Sequence, residues 1–168
     1  MLFNKIKSSM NKYVDPSILK CISADKNLLI EELNGKMTFV EAKEIFKSAV
    51  FPKEFNGEHT KEGVAEVYNL AKKEVLDKIF FSLTSNYKII SMTWSQVAYF
   101  CKKYPEWLNK KANATLFLIK EAKHYYVAIV RNNSNGLSLG KISLGYDYEW
   151  EEILNTRVIC LRFKTPVA

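Results

Sequence analysis

The chain has 168 residues, a hydrophobic fraction of 48% and a formal net charge of +7. This length and composition suit one globular domain with a sizeable core, and they exclude a wholly disordered chain. No apolar run approaches the roughly 18 residues that span a bilayer, and the first residues lack the apolar stretch of a signal peptide. We therefore expect no membrane span and a cytoplasmic location.

The cysteines point to the same compartment. Cys21, Cys101 and Cys160 are an odd set without C-x-x-C spacing, and each lies among apolar or helical neighbours. This arrangement favours buried free thiols in a reducing compartment over a disulfide framework or a zinc site. We expect neither a metal site nor another cofactor.

The first part of the chain, up to about residue 108, has the patterns of helices. Residues 1–12 predict a short basic amphipathic helix, because their apolar side chains recur at helical spacing. Asp15 followed by Pro16 has the residue types of a helix N-cap and a first helical position. This pair predicts a helix over 16–25.

Two Thr-x-x-Glu/Gln patterns match capping boxes, in which two side chains satisfy backbone donors at a helix start. They predict helices over 39–50 and from 93 to about 103, and a proline next predicts one more helical turn over 105–108. The longest predicted helix covers 60–83, where apolar residues recur at steps of three and four. The capping pairs are Thr38 with Glu41 and Thr93 with Gln96.

The second part of the chain predicts a β-meander. Residues 114–120 and 124–131 are rich in β-branched and aromatic side chains, and a link that ends in Asn-Gly leads to a third strand over 137–144. Both faces of the first two strands carry apolar residues, so we expect them to be covered on more than one side. A fourth strand is predicted over 157–163.

Together these patterns predict a single α+β domain over residues 1–168. N-terminal helices, in residues 1–108, are expected to pack on a C-terminal four-stranded, mainly antiparallel β-meander in residues 113–165. No repeat, low-complexity tract or linker divides the chain.

The sequence favours a small non-catalytic binding protein that acts through protein–protein interaction, as an accessory, inhibitor or effector-like protein. Residues 146–151 alternate aromatic and acidic side chains, which predicts an extended segment with one apolar and one charged face. Exposed aromatic residues are enriched at interface hot spots. We therefore expect Tyr146, Tyr148 and Trp150 to contact an unidentified protein partner.

Non-specific binding of single-stranded nucleic acid or RNA is the alternative. Residues 91–145 carry eight Lys and Arg residues against two acidic ones. In the basic aromatic segment 99–141, lysines can neutralise phosphates and aromatic rings can stack on bases. Only three positive residues are arginine, the better reader of bases, which counts against this alternative. The candidate residues are Lys102, Lys103, Trp107, Lys110, Lys111, Lys120, Lys123, Arg131 and Lys141.

A thiol hydrolase is the second alternative, because Cys101, His124 and Asp147 have the residue types of such an enzyme. Nucleophilic cysteines usually gain a lowered pKa at a helix N-terminus, whereas Cys101 lies about eight residues beyond its predicted helix cap. No glycine-rich elbow flanks it. We therefore assign no catalytic residue and expect a buried thiol.

Overall fold

The structure, a computed structural model, describes residues 14–49, 57–110, 113–152 and 155–162. In these ranges the chain forms one mixed sheet of eight strands, a second sheet of two strands and three short α-helices. The helices are α1 (Phe39–Ile45), α2 (Leu76–Phe81) and α3 (Trp94–Lys103). The strands are β1 (Leu19–Cys21), β2 (Leu28–Ile30), β3 (Phe46–Ala49), β4 (Gly63–Leu70), β5 (Glu74–Val75), β6 (Ala114–Glu121), β7 (His124–Asn133), β8 (Gly136–Ser143), β9 (Glu149–Trp150) and β10 (Arg157–Leu161).

The large sheet is built around the predicted meander. Strands β6, β7 and β8 are consecutive antiparallel neighbours, which confirms the three predicted strands. The full strand order is β1-β4-β10-β6-β7-β8-β3, and β2 also pairs with β4. Strand β10 lies parallel to β6 and antiparallel to β4, while β3 runs parallel to β8. β5 and β9 form the small sheet.

The predicted fold class is therefore wrong. The described chain is mostly sheet, and it is not a set of N-terminal helices on a four-stranded antiparallel meander. Five strands, β1 to β5, come from the part of the chain predicted to be helical. Because β4 pairs with β10, strands from both predicted parts belong to one sheet.

The largest error is the helix predicted over 60–83, where the structure has β4, a turn, β5 and the short helix α2. The two faces of β4 are both covered, since Val67 packs in a core beneath α3 and Tyr68 packs in a core beneath α2. A strand buried on both faces carries apolar residues without strict alternation. Such a run also fits helical spacing, and the pattern alone does not separate the two.

The helix predicted over 16–25 is also wrong. Oδ1 of Asp15 accepts a hydrogen bond from the Ser17 N–H at 2.9 Å, so the aspartate side chain stabilises a turn that leads into β1. The predicted helix over 1–12 lies outside the described residues.

Both capping boxes are present. At α3, the Gln96 N–H donates to Thr93 Oγ1 at 3.2 Å and the Thr93 N–H donates to Gln96 Oε1 at 2.9 Å. The helix predicted over 39–50 begins as expected at α1 but ends at Ile45, because the next residues form β3 and pair with β8. The predicted turn over 105–108 is confirmed as a short 3-10 helix at Pro105–Trp107.

Both faces of the large sheet are covered, as predicted for β6 and β7. The α3-face core includes Phe117 of β6 and Phe100 of α3, whose ring centroids lie 5.8 Å apart. The α2-face core includes Leu116 of β6 and Phe80 of α2. Among the described helices, none has the length and apolar content needed to cross a membrane.

Candidate functional site

Two exposed tyrosines lie in the segment between β8 and β9. The Tyr146 N–H donates to the Ser143 carbonyl oxygen at 3.1 Å, and the Tyr148 N–H donates to the Tyr146 carbonyl oxygen at 3.0 Å. These turns leave the side chains of Tyr146 and Tyr148 56% and 51% exposed. We call Tyr146, Asp147, Tyr148 and Glu149 the tyrosine surface. Of the extended segment predicted over 146–151, Glu149 and Trp150 form a β-strand, β9.

Trp150 differs from the two tyrosines. It is only 6% exposed and belongs to the α2-face core. Its ring centroid lies 5.1 Å from that of Tyr148, in an edge-to-face contact. The guanidinium carbon of Arg131 lies 5.8 Å from the centroid of the same indole. Trp150 therefore contacts Tyr148 from within the α2-face core and does not itself present an exposed face.

The tyrosine surface is flanked by carboxylates. Asp147 and Glu149 are exposed, and the Lys73 ammonium lies 3.3 Å from Glu149 Oε2 and 3.8 Å from Glu151 Oε1. The hydrogen bond to Glu149 and the charges of Glu149 and Glu151 raise the pKa of Lys73. An open cavity of about 500 Å³, lined in part by Lys73, Asp147 and Tyr148, lies here. The surface thus combines aromatic area with negative charge.

The candidate residues of segment 99–141 lie on different parts of the fold. Lys102 and Lys103 end α3, and Lys103 Nζ donates to the Tyr99 hydroxyl at 2.9 Å. Trp107 is partly buried against the α3-face core, and Lys110 is exposed after it. Lys111 lies outside the described residues.

The other candidates of this segment belong to the sheet. Lys120 lies next to the last residue of β6 and Lys123 lies in the β6–β7 turn, at the opposite end of β6 from Ala114, which pairs with Arg131. Lys141 lies 3.0 Å from Glu121 and 4.5 Å from the Tyr126 ring centroid. Tyr126 packs on the α3-face core, whereas the Trp150 beside Arg131 belongs to the α2-face core. The cations are therefore spread over both sides of the sheet, and nucleic-acid binding stays a prediction.

The three residues considered for a thiol hydrolase have different surroundings. Cys101 is buried in the α3-face core, and burial raises the pKa of its thiol. A thiol in apolar surroundings has little thiolate character at neutral pH. His124 is exposed at the start of β7, and Asp147 belongs to the tyrosine surface. All three cysteines are free, as expected, with Cys21 half-buried and Cys160 buried.

A cleft at the start of α3 was not predicted. It has a volume of about 690 Å³ and is lined by residues from four separate parts of the chain, including Lys61, Lys88, Thr93 and Lys120. Only the capping pattern at Thr93 marks this place in the sequence. The other lining residues come together through the pairing of β4 and β6 with β10.

Comparison of the chain with models of known protein families, with curated protein sequences and with solved structures finds no match. The geometry of the described side chains is therefore the basis for assigning a function.

Proposed function

We propose that the protein is a non-catalytic binding protein that acts through protein–protein interaction, as an accessory, inhibitor or effector-like protein. The partner contacts the tyrosine surface. One observation carries this proposal: Tyr146 and Tyr148 are both more than half exposed on backbone turns held by hydrogen bonds. Tyrosines offer large contact area at low entropic cost, because few of their torsions are lost on binding.

The charge around the tyrosines selects the kind of partner. Asp147 and Glu149 are exposed beside them, and Lys73 is the cation that lies nearest to Glu149 within the described residues. A protein segment that combines lysine or arginine with apolar side chains complements this surface. Its cations compete with Lys73 for Glu149, which makes the interaction sensitive to salt.

A peptide library displayed on phage, selected against the purified protein, tests the proposal. We expect enrichment of basic peptides with apolar residues, which bind the wild type but not the Tyr146→Ala/Tyr148→Ala variant. Val40→Ala is the matched control, because Val40 is 68% exposed and lies on α1, away from β9. Selected peptides that bind the double variant as well as the wild type, or a failure to enrich any basic peptide, would overturn the proposal.

A cytoplasmic location is part of the same proposal. Its support is chemical, since three free thiols, two of them buried, suit a reducing compartment. Fractionation of the source cells, followed by detection with an antibody, tests this location. Recovery in an oxidising compartment would contradict it.

A further inference from the structure

The cleft at the start of α3 has the size of a small-molecule site and is partly open to solvent. Its volume of about 690 Å³ lies within the range of ligand pockets, roughly 300–1,000 Å³. Its walls include the loop at Gly57 to Lys61, the first turn of α3 and the β6–β7 turn. None of its lining residues belongs to the tyrosine surface.

Three lysines line this cleft, namely Lys61, Lys88 and Lys120. Within the described residues, none of their ammonium groups lies within 4.0 Å of a carboxylate, in contrast to Lys73, Lys103 and Lys141. The cleft also contains two acidic residues. Glu121 is engaged by Lys141 at 3.0 Å, which leaves Glu58 as the other lining carboxylate. Positive charge therefore exceeds negative charge in the cleft.

The remaining walls add two features. Thr93 and Gln96 place the N-terminus of the ten-residue helix α3 at the cleft, where the aligned peptide dipoles contribute partial positive charge. Met92, Trp94 and Leu161 supply apolar wall. An anionic group near the lysines and a compact apolar group against this wall fit the two parts of the cleft.

We propose that this cleft binds a small phosphate monoester. The three lysines that line the cleft supply positive charge for a dianionic phosphate, since lysine is a common point-charge ligand for phosphate. The apolar wall formed by Met92, Trp94 and Leu161 contacts the organic part of the ligand. The site is independent of the proposed protein-binding function, because its residues and those of the tyrosine surface do not overlap.

Titration of ¹⁵N-labelled protein with phenyl phosphate tests the site, with inorganic phosphate in a parallel series and sodium chloride at matched ionic strength as the reference. We expect amide shifts confined to the cleft lining, and tighter binding of phenyl phosphate than of inorganic phosphate. Equal affinities of the two ligands would overturn the ester assignment in favour of free phosphate. Amide shifts that sodium chloride reproduces, or that fall outside the cleft, would overturn the proposal that the cleft binds a phosphate ester.

Variants make the test specific. The triple variant Lys61→Gln/Lys88→Gln/Lys120→Gln is expected to weaken phenyl phosphate binding at least ~10-fold, because it removes the three positive charges that line the cleft. The matched control is Lys20→Gln/Lys26→Gln/Lys102→Gln, which removes three exposed lysines that do not line the cleft. Equal affinity of the two triple variants would overturn the proposal. If the cleft triple variant is unfolded, the single Lys→Gln variants at the same positions are compared instead, with the same two outcomes.

Discussion

Tyr148 and Trp150 are in edge-to-face contact, with ring centroids 5.1 Å apart and ring planes at 76°. One ring is half exposed and the other is buried in the α2-face core. This pairing connects the proposed binding surface to the interior of the protein. Tyr148 therefore packs against a side chain that is almost entirely buried.

Substitutions at these two positions are expected to separate stability from binding. Trp150→Ala should lower the free energy of unfolding by about 3–5 kcal/mol, because it opens a cavity in the core. Tyr148→Ala should cost less than about 1.5 kcal/mol, since about half of this side chain already faces water. Urea unfolding of both variants measures the difference. Equal losses would contradict the anchoring role of Trp150.

Trp150→Phe provides a finer test of the same site. The indole N–H of Trp150 is buried and has no hydrogen-bond partner among the described residues. Phenylalanine removes this unsatisfied donor while it keeps most of the aromatic area, so we expect a loss well below that of Trp150→Ala. Urea unfolding again gives the measurement, and a loss as large as that of the alanine variant would contradict this description of the indole.

The sequence identifies the elements that depend on local interactions. The capping box at Thr93 predicts the start of α3 because its two hydrogen bonds join residues three positions apart. The β6–β8 meander is likewise predictable from hairpin spacing and turn residues. Strand β4 is not predictable in this way, because its conformation depends on pairing with β1 and β10, which lie far away in the sequence.

The candidate sites likewise combine features that the local sequence shows with features that depend on contacts between distant residues. Tyr146 and Tyr148 stand out in the sequence, but the burial of Trp150 depends on packing between β9, β5 and the α2-face core. The cleft at the start of α3 depends even more on contacts between residues that are distant in the sequence. Lys61, Lys88 and Lys120 are separated by 27 and 32 residues along the chain, and only the folded sheet brings them to one cavity.

Arg157 is expected to stabilise the link between α3 and β6. Its Nη1 donates to the carbonyl oxygens of Trp107 at 2.7 Å and Leu108 at 3.1 Å, and burial lowers its pKa. Arg157→Met removes both charge-assisted hydrogen bonds and should lower the free energy of unfolding by about 1.5–3 kcal/mol. The exposed Lys102→Met substitution is the control and should change it by less than about 0.5 kcal/mol. Similar losses in denaturant unfolding would contradict the role of Arg157.

Tyr68 is expected to contribute to a fall in the stability of the protein at high pH. Burial, nearby Cys160 and the hydrogen bond to Glu66 raise the pKa of Tyr68 above its ordinary value of 10.0. The folded state therefore holds the phenol proton more tightly than the unfolded state. The resulting stability is fully present below pH 10 and is lost as the pH rises above that value.

Unfolding free energies measured between neutral pH and pH 11 check this expectation. Tyr68→Phe should flatten the alkaline decline, because it removes the titrating phenol. Tyr148→Phe, at an exposed position, is the control and should keep the wild-type slope. A Tyr68→Phe variant with the wild-type pH dependence would contradict the assignment.

The backbone conformation of the β6–β7 turn gives a further prediction about stability. Ala122 has a φ of 53°, in the left-handed region that glycine adopts at lower cost. Ala122→Gly should therefore raise the free energy of unfolding by roughly 0.5–1 kcal/mol. Ala71→Gly is the control, because Ala71 is exposed and has no positive φ, and it should lower the stability. Thermal unfolding of both variants shows whether each substitution raises or lowers the stability. A loss of stability at both positions would contradict the expectation.

The central claim is that the tyrosine surface binds a protein partner. Its most direct measurement is the dissociation constant of the most enriched basic peptide, determined by calorimetry for the wild type, for Tyr146→Ala/Tyr148→Ala and for Val40→Ala. We predict that the double variant binds at least ~10-fold more weakly, as expected for loss of about 1.4 kcal/mol at an aromatic hot spot, while Val40→Ala binds like the wild type. Equal dissociation constants for all three proteins would contradict the claim.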